Sequence, residues 1–176
     1  DPPKELMKYV AYTEDIKTAA YALIDNPKNI QRQCKHLHFP LFVKPSKAGD
    51  SLGIDETSLV NNTEELKQKI SELLPEYEEV LVEEYIKGRE FTVLVAANAD
   101  DHKTCTAFKP VEFIFPEGRE FKTYALKTSE LHPEANIPCN DPTMGAELKK
   151  AALQIFQGFG GAGYARLDFK KKKKNE

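Results

Sequence analysis

Apolar residues fall into short blocks separated by polar, glycine- and proline-rich stretches, and each block predicts one element. Thr13 to Leu23 has helix-forming composition, with Asn26-Pro27 as its stop. Phe39 to Val43 is a short apolar strand, and Ile54 to Val60 is extended but mixed. Asn62 caps a helix with Glu64 and Glu65 in its first turn and Leu66, Ile70, Leu73 and Leu74 on one face; Pro75 ends it. Val80 to Val82 and Phe91 to Ala97 are strands separated by Lys87-Gly88-Arg89. Thr104 to Phe115 has strand composition broken by Pro110, as at an edge or bulge. Residues 116–141 lack periodicity and read as one long loop, a length usually tied to function or disorder. Thr143 to Phe159 is an amphipathic helix offering Leu148, Ala151, Ile155 and Phe156 for burial. Gly160 to Gly163 stops it, and Tyr164 to Phe169 alternates as a strand.

The ends of the chain change this picture. Five lysines follow Phe169, then Asn175-Glu176, a composition suited to a solvated hairpin tip whose returning strand is missing. An unpaired terminal strand is costly, so the chain is expected to be a fragment. The lysine run also invites a nucleic-acid reading, but no aromatic or arginine residues interleave it and the net charge is −3. Neither nucleic acid nor a membrane is therefore expected as a partner. With 40% apolar and 30% charged residues among 176, the chain suits one domain or two small lobes. No apolar stretch approaches the roughly 20 residues needed to cross a bilayer. Three scattered cysteines, Cys34, Cys105 and Cys139, argue for a reducing, cytoplasmic setting. Cys34, His36 and His38 alternate onto one face of an extended segment, but no second ligand cluster follows, so a solvated approach to a strand is the reading there.

Four segments carry candidate chemistry. Lys44 ends the first apolar strand and enters a small-residue loop with Gly49, Ser51 and Gly53. Glycine permits close backbone approach, so successive N–H groups there suit an anion, beside fixed positive charge. Glu83, Glu84, Tyr85 and Ile86 offer backbone donors and acceptors between apolar side chains, which suits an adenine edge, and Glu90 suits a ribose diol. Lys127 lies in the long loop. Arg166 and Asp168 alternate onto one strand face, where they read either as a same-face ion pair or as an arginine beside a metal-binding carboxylate.

In this order and spacing the segments resemble the ATP-grasp superfamily, and within it most closely the D-alanine–D-alanine ligase family, from about Phe39 to Phe169. The resemblance implies an α+β ATP-grasp fold, truncated at its C-terminus. Residues 1–86 would form the small central lobe and 87–176 part of the C-terminal lobe, both built on antiparallel sheets. It implies an ATP-dependent carboxylate–amine ligase using Mg2+ and a small amino-acid-like substrate. Lys44 would bind phosphate oxygens, and Gly49, Ser51 and Gly53 would form the lid. Glu83 to Ile86 would hold adenine, Glu90 the ribose, and Lys127 the γ-phosphate. Arg166 would stabilise an oxyanion, and Asp168 would ligate the metal. Asp50 departs from the small hydroxyl residue common in that lid and works against its closure over phosphates. The family's Glu-x-Asn is expected past Asp168 and is not reached, so only part of a magnesium site is expected here. Thr128 stands where many bacterial ligases carry a tyrosine, so specificity for D-alanine is not inherited. A non-catalytic structural or assembly subunit, a homodimer, and a relative of glutathione synthetase or tubulin–tyrosine ligase stand as alternatives.

Overall fold

The computed structural model describes residues 3–101, 103–123 and 135–172. These group into two compact units, one from residues 3–8, 18–86 and 121–123, the other from 9–17, 87–120 and 135–172.

The first unit is a four-stranded antiparallel sheet with helices on one face. Its strands are β1 (Tyr21–Ile24), β2 (Leu41–Pro45), β3 (Leu59–Val60) and β4 (Val80–Glu84), in the order β1-β4-β2-β3. Helices α2 (Ile30–Cys34) and α3 (Thr63–Tyr77) belong to it as well. Strand residues alternate between faces, so the register decides what each face carries. Ala22, Ile24, Leu41, Val43, Val80 and Val82 turn one way and pack with Ile30, Leu66, Ile70 and Leu73. Tyr21, Phe42, Lys44, Leu81 and Glu83 turn the other way. That second face is the one that concerns function.

The second unit is a five-stranded antiparallel sheet. Its long strand β5 (Gly88–Ala97) pairs with β6 (Cys105–Ala107) and β7 (Val111–Phe113), and with β9 (Tyr164–Lys172) over nine register pairs; β8 (Asn136–Pro138) extends it beyond β7. Phe91, Val93, Val95 and Leu167 pack against Leu148, Ala152, Ile155 and Phe156 of α4 (Pro142–Gly158). Asp141 caps α4 through the Met144 N–H. Helix α1 (Lys4–Thr13) places Lys4 to Lys8 in the first unit and its last turns in the second, where Val10 meets Gly158.

Several expectations from the pattern need correction. The first helix is Lys4–Thr13, not Thr13 to Leu23, because Tyr21 to Ile24 gain antiparallel partners on β4. Pro75 lies inside α3; the helix ends at Glu78, whose φ of 60° turns the chain while its N–H still reaches the Leu74 carbonyl. Residues 56–58 form a 3-10 turn rather than strand, held by an Asp55–Ser58 capping box. Gly88 and Arg89 continue β5, and residues 116–141 are not all loop, since β8 lies there. Lys170 to Lys172 are strand residues paired with β5, not a hairpin tip, and residues 173–174 of the run lie outside the described residues. Cys34 sits buried in α2 while His36 and His38 are exposed, so the three share no face, and no metal-binding cluster of three occurs among the described residues.

Candidate active site

On the first unit, the strand alternation that turns Val43 into the core turns Lys44 out of it, and likewise Val82 and Glu83. Lys44 Nζ donates to Glu83 Oε1 in a very short contact, and Lys8 Nζ lies 2.8 Å from Glu83 Oε2. Lys8 is 9% exposed and also donates to Thr18 Oγ1 at 2.8 Å and the Ala19 carbonyl at 2.9 Å. Burial favours the neutral acid at Glu83, but Lys44 and then Lys8 outweigh it and hold the carboxyl down at about 2. The result is one anion gripped by two cations, a local excess of positive charge on this face. The aromatic rings of Tyr21 and Phe42 lie under Lys8 and Lys44 at 5.2 and 5.7 Å.

Sequence reasoning misses Lys8, because a single lysine among the mixed residues of α1 carries no motif of its own. The spacing Lys4 to Lys8, one helical turn, was the available clue. Lys4 uses its own ammonium to hold the carbonyls of Ser46 at 3.3 Å and Ala48 at 2.6 Å, the entry to the glycine loop.

That loop closes as two successive turns, Leu52 N–H to the Gly49 carbonyl and Ile54 N–H to the Ser51 carbonyl, each 3.0 Å. Gly53 has φ +71°, and a Cβ there would meet Pro45 Cγ at 2.7 Å. Gly49 does not take the left-handed conformation; Asp50 and Ser51 take it instead, with φ 52° and 60°. At the base of the loop Ser46, fully buried, donates its hydroxyl to Glu79 Oε1 at 2.6 Å.

The predicted adenine segment is partly committed. Glu83 lies within the ladder between β1 and β2. The Glu84 N–H donates to the Ala20 carbonyl and the Tyr85 N–H to the Pro40 carbonyl. The Glu84 carboxylate accepts from both the backbone N–H and Nδ1 of His38 at 2.9 Å, and these bonds hold it below the usual carboxylate range. Tyr85 stacks on Phe42 at 6.0 Å, and Phe121 meets both rings edge-on.

On the second unit, β5 and β9 put Glu90 across from Lys170, Thr92 across from Asp168, and Leu94 across from Arg166, all on the face opposite α4. Glu90 is 8% exposed. Arg166 and Asp168 are exposed, and neither enters a salt bridge among the described residues, so the same-face ion pair does not form. Thr92 Oγ1 is buried without a hydrogen-bond partner among the described residues, beside Asp168 in the register. Lys127 lies outside the described residues.

The family model "D-ala D-ala ligase C-terminus" matches residues 10–176. The chain belongs to this family. It is 34% identical over 169 residues to a D-alanine–D-alanine ligase B of Clostridium tetani, covering 92% of the chain and 45% of that relative. It is 35% identical over 162 residues to a D-alanine–D-alanine ligase of Chlorobaculum tepidum, covering 91% of the chain and 42% of the relative. The chain thus spans less than half the length of these curated relatives. Among solved structures it is similar to the VanG D-Ala:D-Ser ligase from Enterococcus faecalis, with TM-score 0.75, 22% identity, and coverage of 97% of this chain and 48% of that one. It is also similar to a D-alanine–D-alanine ligase from Bacillus anthracis complexed with ATP, with TM-score 0.72, 20% identity, and coverage of 97% and 50%. These likenesses show the fold expected from the sequence, α+β ATP-grasp with antiparallel sheets.

Proposed function

We propose that the chain is the nucleotide-binding part of an ATP-dependent carboxylate–amine ligase. Residues 1–86 would form the small ATP-grasp lobe and 87–176 part of the C-terminal lobe. The observation that carries this reading is the open face of β5 and β9. There Arg166 and Asp168 have no ion-pair partner among the described residues, and they lie on the same face as Thr92, whose buried hydroxyl has no hydrogen-bond partner among them either. Arg166 and Asp168 are exposed on that face, and the buried Thr92 hydroxyl beside them lacks the partner that burial ordinarily demands.

In this reading Lys44 and Lys8 offer their ammonium groups to phosphate oxygens, and Glu83 keeps both ammonium groups in place. The N–H groups of the loop carrying Gly49, Ser51 and Gly53 cover the phosphates. With the Glu84 and Tyr85 N–H groups already engaged, the adenine edge falls to the carbonyls of this segment and to Ile86. Glu90 accepts from the ribose hydroxyls; the γ-phosphate is assigned to Lys127 on the family resemblance alone, since that residue lies outside the described residues.

Asp168, an exposed carboxylate on this face, would hold a magnesium ion, a hard cation that takes oxygen ligands and commonly needs only one or two carboxylates from the protein. When bound, the ion neutralises phosphate charge. The reaction is two displacements. A carboxylate oxygen of an amino-acid-like substrate attacks the γ-phosphorus, the bond to the β,γ-bridging oxygen breaks, and ADP leaves. An amine then attacks the acyl carbon of the resulting acyl phosphate; the C–O bond to phosphate breaks and the amine proton is released as the amide forms. Arg166 stabilises the oxyanion of that second step.

The test is titration of the chain with ATP and Mg2+ by calorimetry, with Lys44→Ala alongside. ATP binding that weakens at least tenfold in the variant supports the reading, and unchanged affinity removes the phosphate role of Lys44. Phosphate release with D-alanine and other amino acids then identifies the substrate class.

A further inference from the structure

The lysine run on β9 is divided by the strand. Lys171 turns to the α4 face and pairs with Glu147 at 2.7 Å, while Lys170 turns to the face that carries Asp168 and Glu90. Lys170 lies across from Glu90 in the β5–β9 register, with its ammonium 3.7 Å from Glu90 Oε2. The same ammonium donates to the Glu120 carbonyl at 3.0 Å and lies 5.2 Å over the Phe115 ring. It therefore ties β5, β9 and the segment after β7 to one carboxylate, which is 10% exposed at its side chain against 22% for Lys170.

We infer that Lys170 is a positioning residue for ribose recognition: it keeps the Glu90 carboxylate in the one orientation that accepts the hydroxyls of a bound nucleoside triphosphate. The inference rests on the nucleotide-binding reading above and goes beyond it. A carboxylate accepts from a diol through both oxygens only when its plane is turned toward the two hydroxyls, and the Lys170 ammonium beside Oε2 limits how that plane can turn. A long side chain fixed at three points on one sheet face is pre-organised, so little ordering remains to be done when the sugar arrives. The alternative is a purely architectural role, in which Lys170 ties the strands together and the sugar is indifferent to it.

The experiment separates these through the sugar. ATP·Mg2+ and 2′-deoxyATP·Mg2+ are titrated by calorimetry into the wild-type chain, Glu90→Gln, Lys170→Met and Lys170→Arg, with a melting curve for each. Wild type is expected to favour ATP about tenfold, the weight of one charge-assisted hydrogen bond. Glu90→Gln and Lys170→Met are each expected to bring the two nucleotides within about threefold, while Lys170→Arg retains the preference because the cation remains. If Lys170→Met melts out, Lys170→Gln replaces it.

A lowered melting temperature with the wild-type preference intact in Lys170→Met, while Glu90→Gln loses it, overturns the inference and leaves the nucleotide reading standing. Preference retained in Glu90→Gln as well removes the ribose role of Glu90, and the inference with it. Absence of ATP binding by the wild-type chain overturns the nucleotide reading itself.

Discussion

Lys8 and Glu83 lie 75 positions apart in the chain, yet their charged atoms are 2.8 Å apart on one face of the first sheet. Lys44 takes the other oxygen of the same carboxylate. Glu83 therefore holds two ammonium groups together on this face of the sheet. This makes the first unit sensitive to any change at that one side chain.

Glu83→Gln is expected to destabilise the first unit by roughly 3–5 kcal/mol, because it leaves two poorly solvated ammonium groups without their counter-charge. Urea denaturation at neutral pH checks this. The pH dependence has a definite sign. The folded carboxyl, at about 2, lies below its ordinary value of 4.5, so its contribution is fully present above about pH 4.5 and is lost as pH falls toward 2. Wild-type stability should therefore fall across that window, and the fall should be shallower in Glu83→Gln.

Asp50 places a negative charge in the loop proposed to cover phosphates and holds a left-handed φ of 52°. Asparagine tolerates that conformation and lacks the charge. Asp50→Asn is expected to leave the melting temperature within about a degree and to tighten ATP binding severalfold. Titration at two ionic strengths gives a further check, since the gain should shrink as salt screens it.

Gly53 meets two conditions that no other residue satisfies together. Its φ is +71°, and a Cβ would press on the Pro45 ring at 2.7 Å and on Tyr77 at 3.1 Å. Gly53→Ala is expected to cost about 1–3 kcal/mol and to displace the loop from β2. Hydrogen exchange over residues 46–54 should rise in the variant without a matching rise in α4.

Phe91 is fully buried in the second core, among Val93, Val95 and the α4 residues. Phe91→Ala is expected to cost about 3–5 kcal/mol, through lost burial and the cavity left behind. A denaturation curve followed by exchange in β5 and β9 reports it directly.

Burial pushes the Cys34 thiol up to about 11. At pH 8 only roughly one thiol in a thousand is then ionised, so Cys34 should resist thiol reagents in the folded chain and react promptly once urea unfolds it. Rapid modification of Cys34 under native conditions would contradict its burial in α2.

Much of this protein is legible in local pattern. The alternation Val43/Lys44, Val82/Glu83 and Leu167/Asp168 assigns each residue to core or open face, because a strand has period two and one face must be buried. The capped start of α3 at Asn62 is equally local, whereas the Asp141 cap of α4 goes unread inside the long polar stretch before it. Family membership follows from the ordered set of motifs, which survives without knowledge of the fold. Tertiary structure decided the rest. Tyr21 to Ile24 is a strand because β4 supplies partners, against its own helix-forming composition. Lys170 belongs to a sheet face rather than a solvated tip because β5 is long enough to pair it. Lys8 acquires its place beside Glu83 only when distant segments meet. Periodicity reports which way a side chain points, but the group it points at is set by pairing and burial among residues far apart in the chain.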